Sequence, residues 1–469
     1  MHQPAELKSD QTLLWSPGRG TDLWDLFQAC IAGELTAVQA LVAQEPSLVR
    51  AHYDYRKPLY FAVRENRIDV ARFLLERDHN PLDLWVDDDP LEIARDREYA
   101  DMERMLADIL NKRFNASPAG EPVAAALRDH DLTRVRALLD AEPELIGRGD
   151  KRSNQPIHWA TMTRQTEAID ELVRRGADVD LINARRMDGA QPIHMTNGDY
   201  FYRGWRDVPR NWPVTPAQVM AHLVAKGAVI DLPTACHTGD IERVRALLRQ
   251  DPSLANKAGD HEGYYLGAGA PLANAAAGRM DIVQLLLEHG ADPNLREEQY
   301  APHGRALYAA VYHGHYDIAK LLLERGAFPN PEVESSGDAL WVSREWRPDK
   351  RMEQLLLSYG AKPPEPRPTE DWPTNAENWL GITRLHEAAR RGDVKHAKKL
   401  LDSGASLTAR DEHIRSTPLA WAAKFGQLEV VRFLLERGAP KSLPDDPSWA
   451  TPLAWARRRG HEEVARVLS

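Results

Sequence analysis

The sequence of 469 residues has only two cysteines, Cys30 and Cys236, and no long apolar run. So few cysteines, far apart in the chain, predict buried reduced thiols rather than a disulfide framework. No hydrophobic run approaches the roughly 18 residues that a membrane-spanning helix needs. The N-terminus also lacks the basic start and apolar core of a secretory signal. A cytoplasmic protein without a membrane segment is therefore expected.

The chain also lacks a basic excess, since its 60 Lys and Arg residues are outnumbered by 70 Asp and Glu residues. A net charge of −10 argues against general nucleic-acid binding, which needs a positive surface. Basic clusters at 390–391, 395–399 and 457–459 stand among acidic residues and are interpreted as solvated helix faces. Nucleic acid is therefore not a predicted partner.

A pattern of about 33 residues is repeated along most of the chain. Its clearest copy, TPLAWAAKFGQLEVVRFLLERGAP, runs from Thr417 to Pro440 and predicts two short helices. Thr417 can cap the first helix, whose first position suits Pro418. Gly426 separates the helices, and Gly438 suits the end of the second. Other copies begin near residues 24, 57, 89, 121, 155, 191, 230, 270, 305, 338, 383 and 451.

The period and the T-P-L-H-x-A theme of these copies resemble the ankyrin-repeat family. The resemblance covers nearly the whole chain and implies an all-α solenoid of about thirteen helix-turn-helix repeats. It implies little about function, because the family is mostly a binding scaffold with many unrelated partners. In the family, the histidine of the theme ties neighbouring loops together by hydrogen bonds. His158, His194 and His386 are therefore expected to be structural.

Two interruptions of the repeats divide the chain into predicted parts. Residues 111–121 are interpreted as a connector. The segment 363–382 is rich in proline and acidic residues and is interpreted as a linker, because proline cannot continue a helix. The predicted parts are a poorly ordered leader at 1–22, repeats at 23–110, the connector, repeats at 122–362, the linker, and repeats at 383–469.

The sixth copy departs most from the pattern, because an aromatic insert at 198–213 interrupts it. The insert brings together aromatic and arginine side chains: Tyr200, Phe201, Tyr202, Arg203, Trp205, Arg206, Arg210 and Trp212. The loop between two repeats, here called a finger, is also long at 256–270 and carries Tyr264 and Tyr265. Amphipathic aromatic groups beside arginines are typical of recognition surfaces.

The resemblance also implies a concave face, which the first helices and the fingers line. The two residues before the inter-helix glycine point into it. These pairs are charged in outer copies, as at 64–65 and 96–97, whereas middle copies carry Met162, His237 and Tyr312. The leading hypothesis is a non-catalytic scaffold that binds a protein or peptide in the central concave face. The candidate groove residues are Trp159, Met162, Tyr200, Phe201, Tyr202, Trp205, Arg206, His237, Tyr264, Tyr265, Tyr312 and His313.

Three alternatives stay open at the sequence level. Trp159 lies one residue past His158, where packing between repeats explains a tryptophan better than ligand stacking does. The central groove could instead be a deep pocket for a sugar or an aromatic acid, with Asp199, His237 and Tyr264 suited to acid–base chemistry. The insert could also pack on its own repeats and bind nothing.

Motifs for catalysis, cofactors and metals are not found. The sequence has no nucleophile elbow, no phosphate-binding P-loop and no dinucleotide-binding motif followed by the required helix. His313 and His315, beside His303 and Asp317, offer metal-ligand types, but Gly314-His315 matches a structural pair of the family. No catalytic residue, cofactor or metal is therefore predicted, although catalysis stays an open alternative.

Overall fold

The structure is a computed structural model. It describes residues 1–82, 89–176, 179–197, 212–262, 265–297, 300–334, 336–363 and 377–469. Within these ranges the chain is made of short helices that pack in successive pairs, which confirms the predicted all-α repeat architecture. The count of thirteen repeats stays a prediction, because part of the sixth copy lies outside the described residues.

The helices form three arrays, named here by position. The N-terminal array contains α1 (Gly20–Ala32), α2 (Leu35–Gln44), α3 (Pro58–Arg64), α4 (Ile68–Leu75), α5 (Pro90–Asp96) and α6 (Ala100–Phe114). The C-terminal array contains α20 (Arg384–Arg391), α21 (Val394–Asp402), α22 (Pro418–Lys424), α23 (Leu428–Glu436), α24 (Pro452–Arg458) and α25 (Glu462–Leu468).

The middle array lies between them in the chain. It contains α7 (Glu121–Arg128), α8 (Leu132–Ala141), α9 (Pro156–Met162), α10 (Thr166–Gly176), α11 (Pro216–Ala225), α12 (Leu232–Thr238), α13 (Ile241–Gln250), α14 (Pro271–Ala275), α15 (Met280–Glu288), α16 (Ala306–His313), α17 (Tyr316–Glu324), α18 (Ala339–Trp341) and α19 (Lys350–Ser358). Two short antiparallel strands, β1 (Glu332–Val333) and β2 (Gly337–Asp338), form a hairpin in one finger. In the sixth copy, Pro192–Met195 form a single 3-10 turn.

Local sequence explains where these helices begin and end. The hydroxyl of Thr417 accepts a hydrogen bond from the N–H of Ala420 at 3.4 Å, and Pro418 occupies the first turn. Gly426 adopts φ of +69°, and a Cβ there would lie 2.7 Å from the ring of His461. That ring in turn bonds the carbonyl of Lys424 at 3.1 Å. Glycine is therefore required both for the turn and for the approach of the next repeat.

Each array has its own hydrophobic core among the described residues. One cluster of buried side chains runs from Leu7 to Ala116 and also contains Met187, Trp379 and Leu380. A second cluster runs from Val123 to Ala361, and a third from Leu385 to Leu468. The segment 1–22, for which the sequence predicts little order, contributes Leu7 to the first core. Stacked repeats bury one continuous core, so these separate cores mark interruptions of the stack between Ala116 and Val123 and between Ala361 and Leu385.

Trp379, in the predicted linker, belongs to the core of the N-terminal array. Its ring is only 8% exposed and lies 6.0 Å from Phe27, 5.3 Å from Tyr53 and 5.8 Å from Phe61 between ring centroids. Its indole N–H donates to Asp54 at 2.9 Å. The end of the linker therefore anchors the C-terminal array to the opposite end of the chain.

Fingers of the C-terminal array pack against the first helices of the N-terminal array. The guanidinium of Arg97, just after α5, donates to the carbonyls of Arg64 at 2.6 Å and of His413 at 2.5 Å. Arg64 also donates to the carbonyl of Glu412 at 3.1 Å. Around them Arg415 pairs with Glu65 at 2.7 Å. The charged concave pair at 64–65 is therefore covered by the chain itself.

His413 is the buried centre of this contact, which is here called the closure interface. Its Nδ1 lies 2.6 Å from the hydroxyl oxygen of Tyr60, and His413 is only 3% exposed. Burial lowers the pKa of His413 well below its usual range, and nearby cations lower it further. The cations that act on it come from both arrays and are Arg56, Lys424, Arg97 and Arg64.

Fingers of the middle array also reach the N-terminal array. Glu262 accepts hydrogen bonds from His79 at 2.8 Å and from Asn80 at 2.7 Å. Arg296 donates to the carbonyl of Leu14 at 3.0 Å. The N-terminal array therefore touches the fingers of both other arrays.

Two further sequence expectations concern cysteines and membrane segments. Cys30 and Cys236 are free and buried, and burial raises the pKa of both thiols. Among the described residues no helix has the length and apolar character needed to cross a membrane.

Candidate functional site

A groove of about 300 Å³ crosses the middle array, over the first helices α12, α14 and α16. Alanines form much of its floor, and the hairpin of β1 and β2 closes one side. It is called the central groove here, and its lining residues are His237, Tyr265, Ala268, Ala273, Asn274, Ala277, Arg305, Tyr308, Ala309, Tyr312, His313, Val333 and Ser336. Four of the predicted groove residues, His237, Tyr265, Tyr312 and His313, are therefore brought together.

Three aromatic rings follow one another from the groove towards solvent. They belong to Tyr308, Tyr312 and Trp346 and are called the aromatic row here. The ring centroids of Tyr308 and Tyr312 are 6.0 Å apart, and those of Tyr312 and Trp346 are 6.1 Å apart, with interplanar angles of 21° and 15°. Tyr308 is buried and its hydroxyl donates to the carbonyl of Ser336 at 3.1 Å. Tyr312 is 37% and Trp346 60% exposed. Large exposed aromatic faces of this kind favour contact with a partner.

The positive charges at the groove come from arginines. Arg305 is held by an ion pair with the buried carboxylate of Glu297 at 3.2 Å and by the carbonyl of Ala268 at 2.6 Å. Arg347 is exposed beside Trp346. Burial lowers the pKa of His237 and of His313, so both imidazoles are neutral at pH 7. The groove thus combines neutral ring nitrogens with fixed cationic groups at its edge.

The structure places two other predicted groove residues inside the protein. Met162 is fully buried in the core of the middle array. Trp159 is also fully buried, and its indole N–H donates to Asp150 at 2.9 Å. Trp421, at the equivalent position of the twelfth copy, donates to Asp411 at 2.8 Å. Tryptophan at this position thus packs against the finger ahead of its own helix.

The other predicted groove residues lie outside the described residues. They are Tyr200, Phe201, Tyr202, Trp205, Arg206 and Tyr264, together with the arginines Arg203 and Arg210. Tyr265, next to them, is buried and donates its hydroxyl to Asp188 at 3.1 Å. Tyr265 thus connects the finger at 256–270 to the preceding finger.

Sequence reasoning missed Tyr308 and Trp346. Trp346 lies in an irregular turn, Val342–Trp346, instead of a regular first helix, so the rule for concave pairs does not select it. A usable signal was nevertheless present, because Trp346 follows Tyr312 by about one repeat period. Tyr308 lies one helical turn before Tyr312, which places both on one face of α16.

The helix pairs, fingers and concave groove define the class of protein as a repeat scaffold. Comparison with protein-family models agrees: a model described as ankyrin repeats (3 copies) matches residues 232–333 and 385–469. A model of a single ankyrin repeat matches residues 154–184. These segments are therefore ankyrin repeats, as their sequence pattern predicted.

Several curated proteins are similar to parts of the chain. The E3 ubiquitin-protein ligase XBAT32 of Arabidopsis thaliana is 33% identical over 78 residues, which cover 16% of this chain and 15% of that protein. The probable E3 ubiquitin-protein ligase XBOS32 of Oryza sativa subsp. japonica is 30% identical over 195 residues, or 38% of each chain. The putative ankyrin repeat protein FPV240 of fowlpox virus is 30% identical over 132 residues, which cover 28% of this chain and 32% of that protein. The matches thus span well under half the length of these relatives.

Proposed function

We propose that this protein is a non-catalytic scaffold that binds an extended protein segment in the central groove. The observation that carries the proposal is the aromatic row, which leads from the buried ring of Tyr308 to the exposed rings of Tyr312 and Trp346. Buried aromatic anchors with exposed neighbours are the usual energetic centre of a protein interface. Rigid stacked helices present such a row with little ordering cost on binding.

The charges at the groove favour a partner segment with acidic residues. Arg347 stands exposed next to Trp346, whereas Arg305 lines the groove with its charge already paired to Glu297. Carboxylates form strong charge-assisted hydrogen bonds with guanidinium groups. An aromatic or aliphatic side chain flanked by Asp or Glu would therefore match both the row and its edge.

An open groove also favours a chain segment over an enclosed small molecule. The groove holds about 300 Å³, at the lower limit of ordinary ligand pockets, which bury most of a ligand's surface. Two of its predicted acid–base residues, Asp199 and Tyr264, lie outside the described residues. The small-molecule alternative gains no specific support from the described geometry.

Selection from a library of displayed random peptides tests this proposal. Peptides enriched on the wild-type chain are expected to combine an aromatic or aliphatic residue with acidic neighbours. Binding should weaken at least tenfold in Tyr312→Ala/Trp346→Ala, and Arg347→Ala should reduce its dependence on salt. Tyr359→Ala is the matched control, because Tyr359 is 41% exposed just after α19 but does not line the groove.

The outcomes of this experiment separate the possibilities. Equal binding by the wild type and the double variant would place the site elsewhere on the protein. Equal loss in the control Tyr359→Ala would show that general surface stickiness, and not the aromatic row, was selected.

A further inference from the structure

His194 differs from the two other histidines at its position in the repeat. Nε2 of His158 bonds the carbonyl of Ala184 in the next finger at 3.0 Å, and Nε2 of His386 bonds that of Ser416 at 3.1 Å. Among the described residues, Nε2 of His194 has no hydrogen-bond partner, although His194 is only 4% exposed. A buried polar atom without a partner is uncommon and calls for a physical explanation.

Nε2 of His194 lacks this hydrogen bond because no full finger follows the sixth copy of the repeat. Only residues 226–231 separate α11 from α12, so no hairpin loop follows the sixth copy. Asp231 stands where the missing carbonyl would be, with Oδ2 3.7 Å from Nε2 of His194. Its Oδ1 accepts the N–H of Thr234 at 2.9 Å and so caps α12. This leaves the second oxygen of Asp231 facing His194.

His261 enters the same space from the finger at 256–270. Its ring stacks on that of His194 with 3.9 Å between centroids. His261 is also 4% exposed, and with the described residues neither of its ring nitrogens meets the geometry of a hydrogen bond. Ligand atoms of His194, Asp231 and His261 all lie within 4.8 Å of one another.

The finger that carries His261 is fixed by backbone contacts. The N–H of Glu262 donates to the carbonyl of Asp188 at 2.9 Å, and the N–H of Leu266 donates to the carbonyl of His194 at 3.2 Å. Gly189 has φ of +82°, and a Cβ there would lie 2.1 Å from the carbonyl oxygen of Asp260. The two fingers can approach this closely only because position 189 has no side chain.

We propose that His194, Asp231 and His261 bind a divalent transition metal ion, with Zn²⁺ as the best match. Two imidazole nitrogens disfavour Mg²⁺ and Ca²⁺, which prefer oxygen ligands, and favour zinc. Three protein ligands with a water molecule in the fourth position form a common tetrahedral zinc arrangement. His261 lines a cavity of about 620 Å³, from which an ion and that water can enter.

Binding requires two local adjustments. Tetrahedral zinc with bonds of about 2.0 Å places its ligand atoms about 3.3 Å apart, so the stacked rings must splay and the three side chains must close slightly. Nδ1 of His194 accepts the N–H of Gln191 at 3.1 Å. Ligation through Nε2 moves the ring proton of His194 to Nδ1 and breaks that bond. One neutral hydrogen bond is far weaker than zinc binding by protein ligands.

The ion would replace the missing finger as the link between neighbouring repeats. It joins the 3-10 turn at Pro192–Met195, the start of α12 and the finger at 256–270. The residue after His261, Glu262, contacts His79 and Asn80 of the N-terminal array. Metal binding would thus stiffen the finger on which that array rests.

Zinc binding by the full chain, without an affinity tag, tests the proposal directly. The chain is treated with a chelator, given Zn²⁺ and passed through gel filtration, and bound zinc is measured by mass spectrometry. One zinc ion per chain and a higher melting temperature with Zn²⁺ are expected. Co²⁺ in place of Zn²⁺ should give the visible absorption of a tetrahedral site.

Three variants locate the ion. His261→Gln removes one ligand, and Asp231→Asn weakens another while asparagine preserves the helix cap. Both should bind zinc at least tenfold more weakly and lose the shift in melting temperature. His222→Gln is the control, because His222 forms a surface pair with Asp170 at 2.9 Å and should leave zinc binding unchanged.

Two results would overturn the proposal. One is a wild-type chain that retains no zinc and shows no cobalt spectrum. The other is zinc retained equally by Asp231→Asn and the wild type, with circular dichroism showing that both are folded. If His261→Gln does not fold, Asp231→Asn decides alone.

Discussion

The concave faces of the N-terminal and middle arrays use the same positions of the repeat but meet different surroundings. In the N-terminal array, the pairs at 64–65 and 96–97 contact a finger of the C-terminal array and Arg459 at the end of α24. In the middle array, Tyr312 and His313 face solvent. The first face is charged and covered by the chain itself, whereas the second is aromatic and open.

This difference has a physical reason in the kinds of side chain at the two faces. Arginines such as Arg97 suit an intrachain contact, because a planar guanidinium can bond two carbonyls at once, here that of Arg64 at the end of α3 and that of His413 in a finger. Exposed aromatic rings would be a poor choice for a permanently solvated face unless a partner covers them. The charge pattern along the concave face thus separates the part used for closure from the part proposed for binding.

The largest expected effect is the loss of Trp379. Trp379→Ala should lower the free energy of unfolding by about 3–5 kcal/mol, because it removes a buried ring and leaves a cavity. It also leaves Asp54 without the indole N–H. Calorimetry should show a lower melting temperature, and trypsin should cut between the arrays faster. Trp346→Ala is the control, since Trp346 is 60% exposed. An equal loss of stability in Trp346→Ala would contradict the difference between the covered and the open face.

A smaller effect is expected from Arg97→Ala. The change leaves the buried carbonyls of Arg64 and His413 without a donor, which should cost about 3 kcal/mol. Chemical unfolding and small-angle scattering should report a less stable and more extended chain. Arg391→Ala is matched to it, because Arg391 holds the same repeat position but is exposed. If Arg97→Ala behaved like Arg391→Ala, the closure interface would not hold the arrays together.

Acid should weaken the closure interface through His413. Its pKa is lowered in the folded protein, so the unfolded chain takes up the proton first, below about pH 6.5. The contribution of His413 to the free energy of unfolding is therefore fully present above pH 6.5 and is lost as the pH falls. The loss grows by at most about 1.4 kcal/mol for each pH unit below 6.5.

His413→Gln isolates this effect from the other buried histidines. Glutamine can still bond the hydroxyl of Tyr60 but does not take up a proton. The variant should lose less stability than the wild type between pH 7 and pH 5 in urea unfolding. Parallel pH profiles for the two chains would assign the acid sensitivity to other groups.

Much of the fold could be predicted from the sequence, because its signals are local. The cap at Thr417 and the turn at Gly426 follow from single repeats and agree with the structure. The loop-tying role of His158 and His386, which the family resemblance implies, also agrees with it. The contacts between the arrays could not be predicted, because contacts such as that of Trp379 with Phe27 join distant parts of the chain.

The candidate groove could be predicted only in part. The rule for concave pairs selected His237, Tyr312 and His313, which do line one groove. The same rule selected Met162, which the structure places in the core. The rule states the direction in which the side chain points, but it does not state which other residues cover that side chain. It also missed the space beside His194, since an omitted finger leaves no motif in the sequence.

The smallest expected effect on stability is that of the aromatic row. Tyr312→Ala and Trp346→Ala should each change the free energy of unfolding by less than about 0.5 kcal/mol, because exposed side chains contribute little to folding. The two changes together should weaken binding of the selected acidic peptides at least tenfold, measured by the fluorescence of the chain's tryptophans or by calorimetry. Arg97→Ala should show the opposite pattern, with lower stability and unchanged peptide affinity. A parallel loss of stability and affinity in all three variants would mean that the open and covered faces form one cooperative unit.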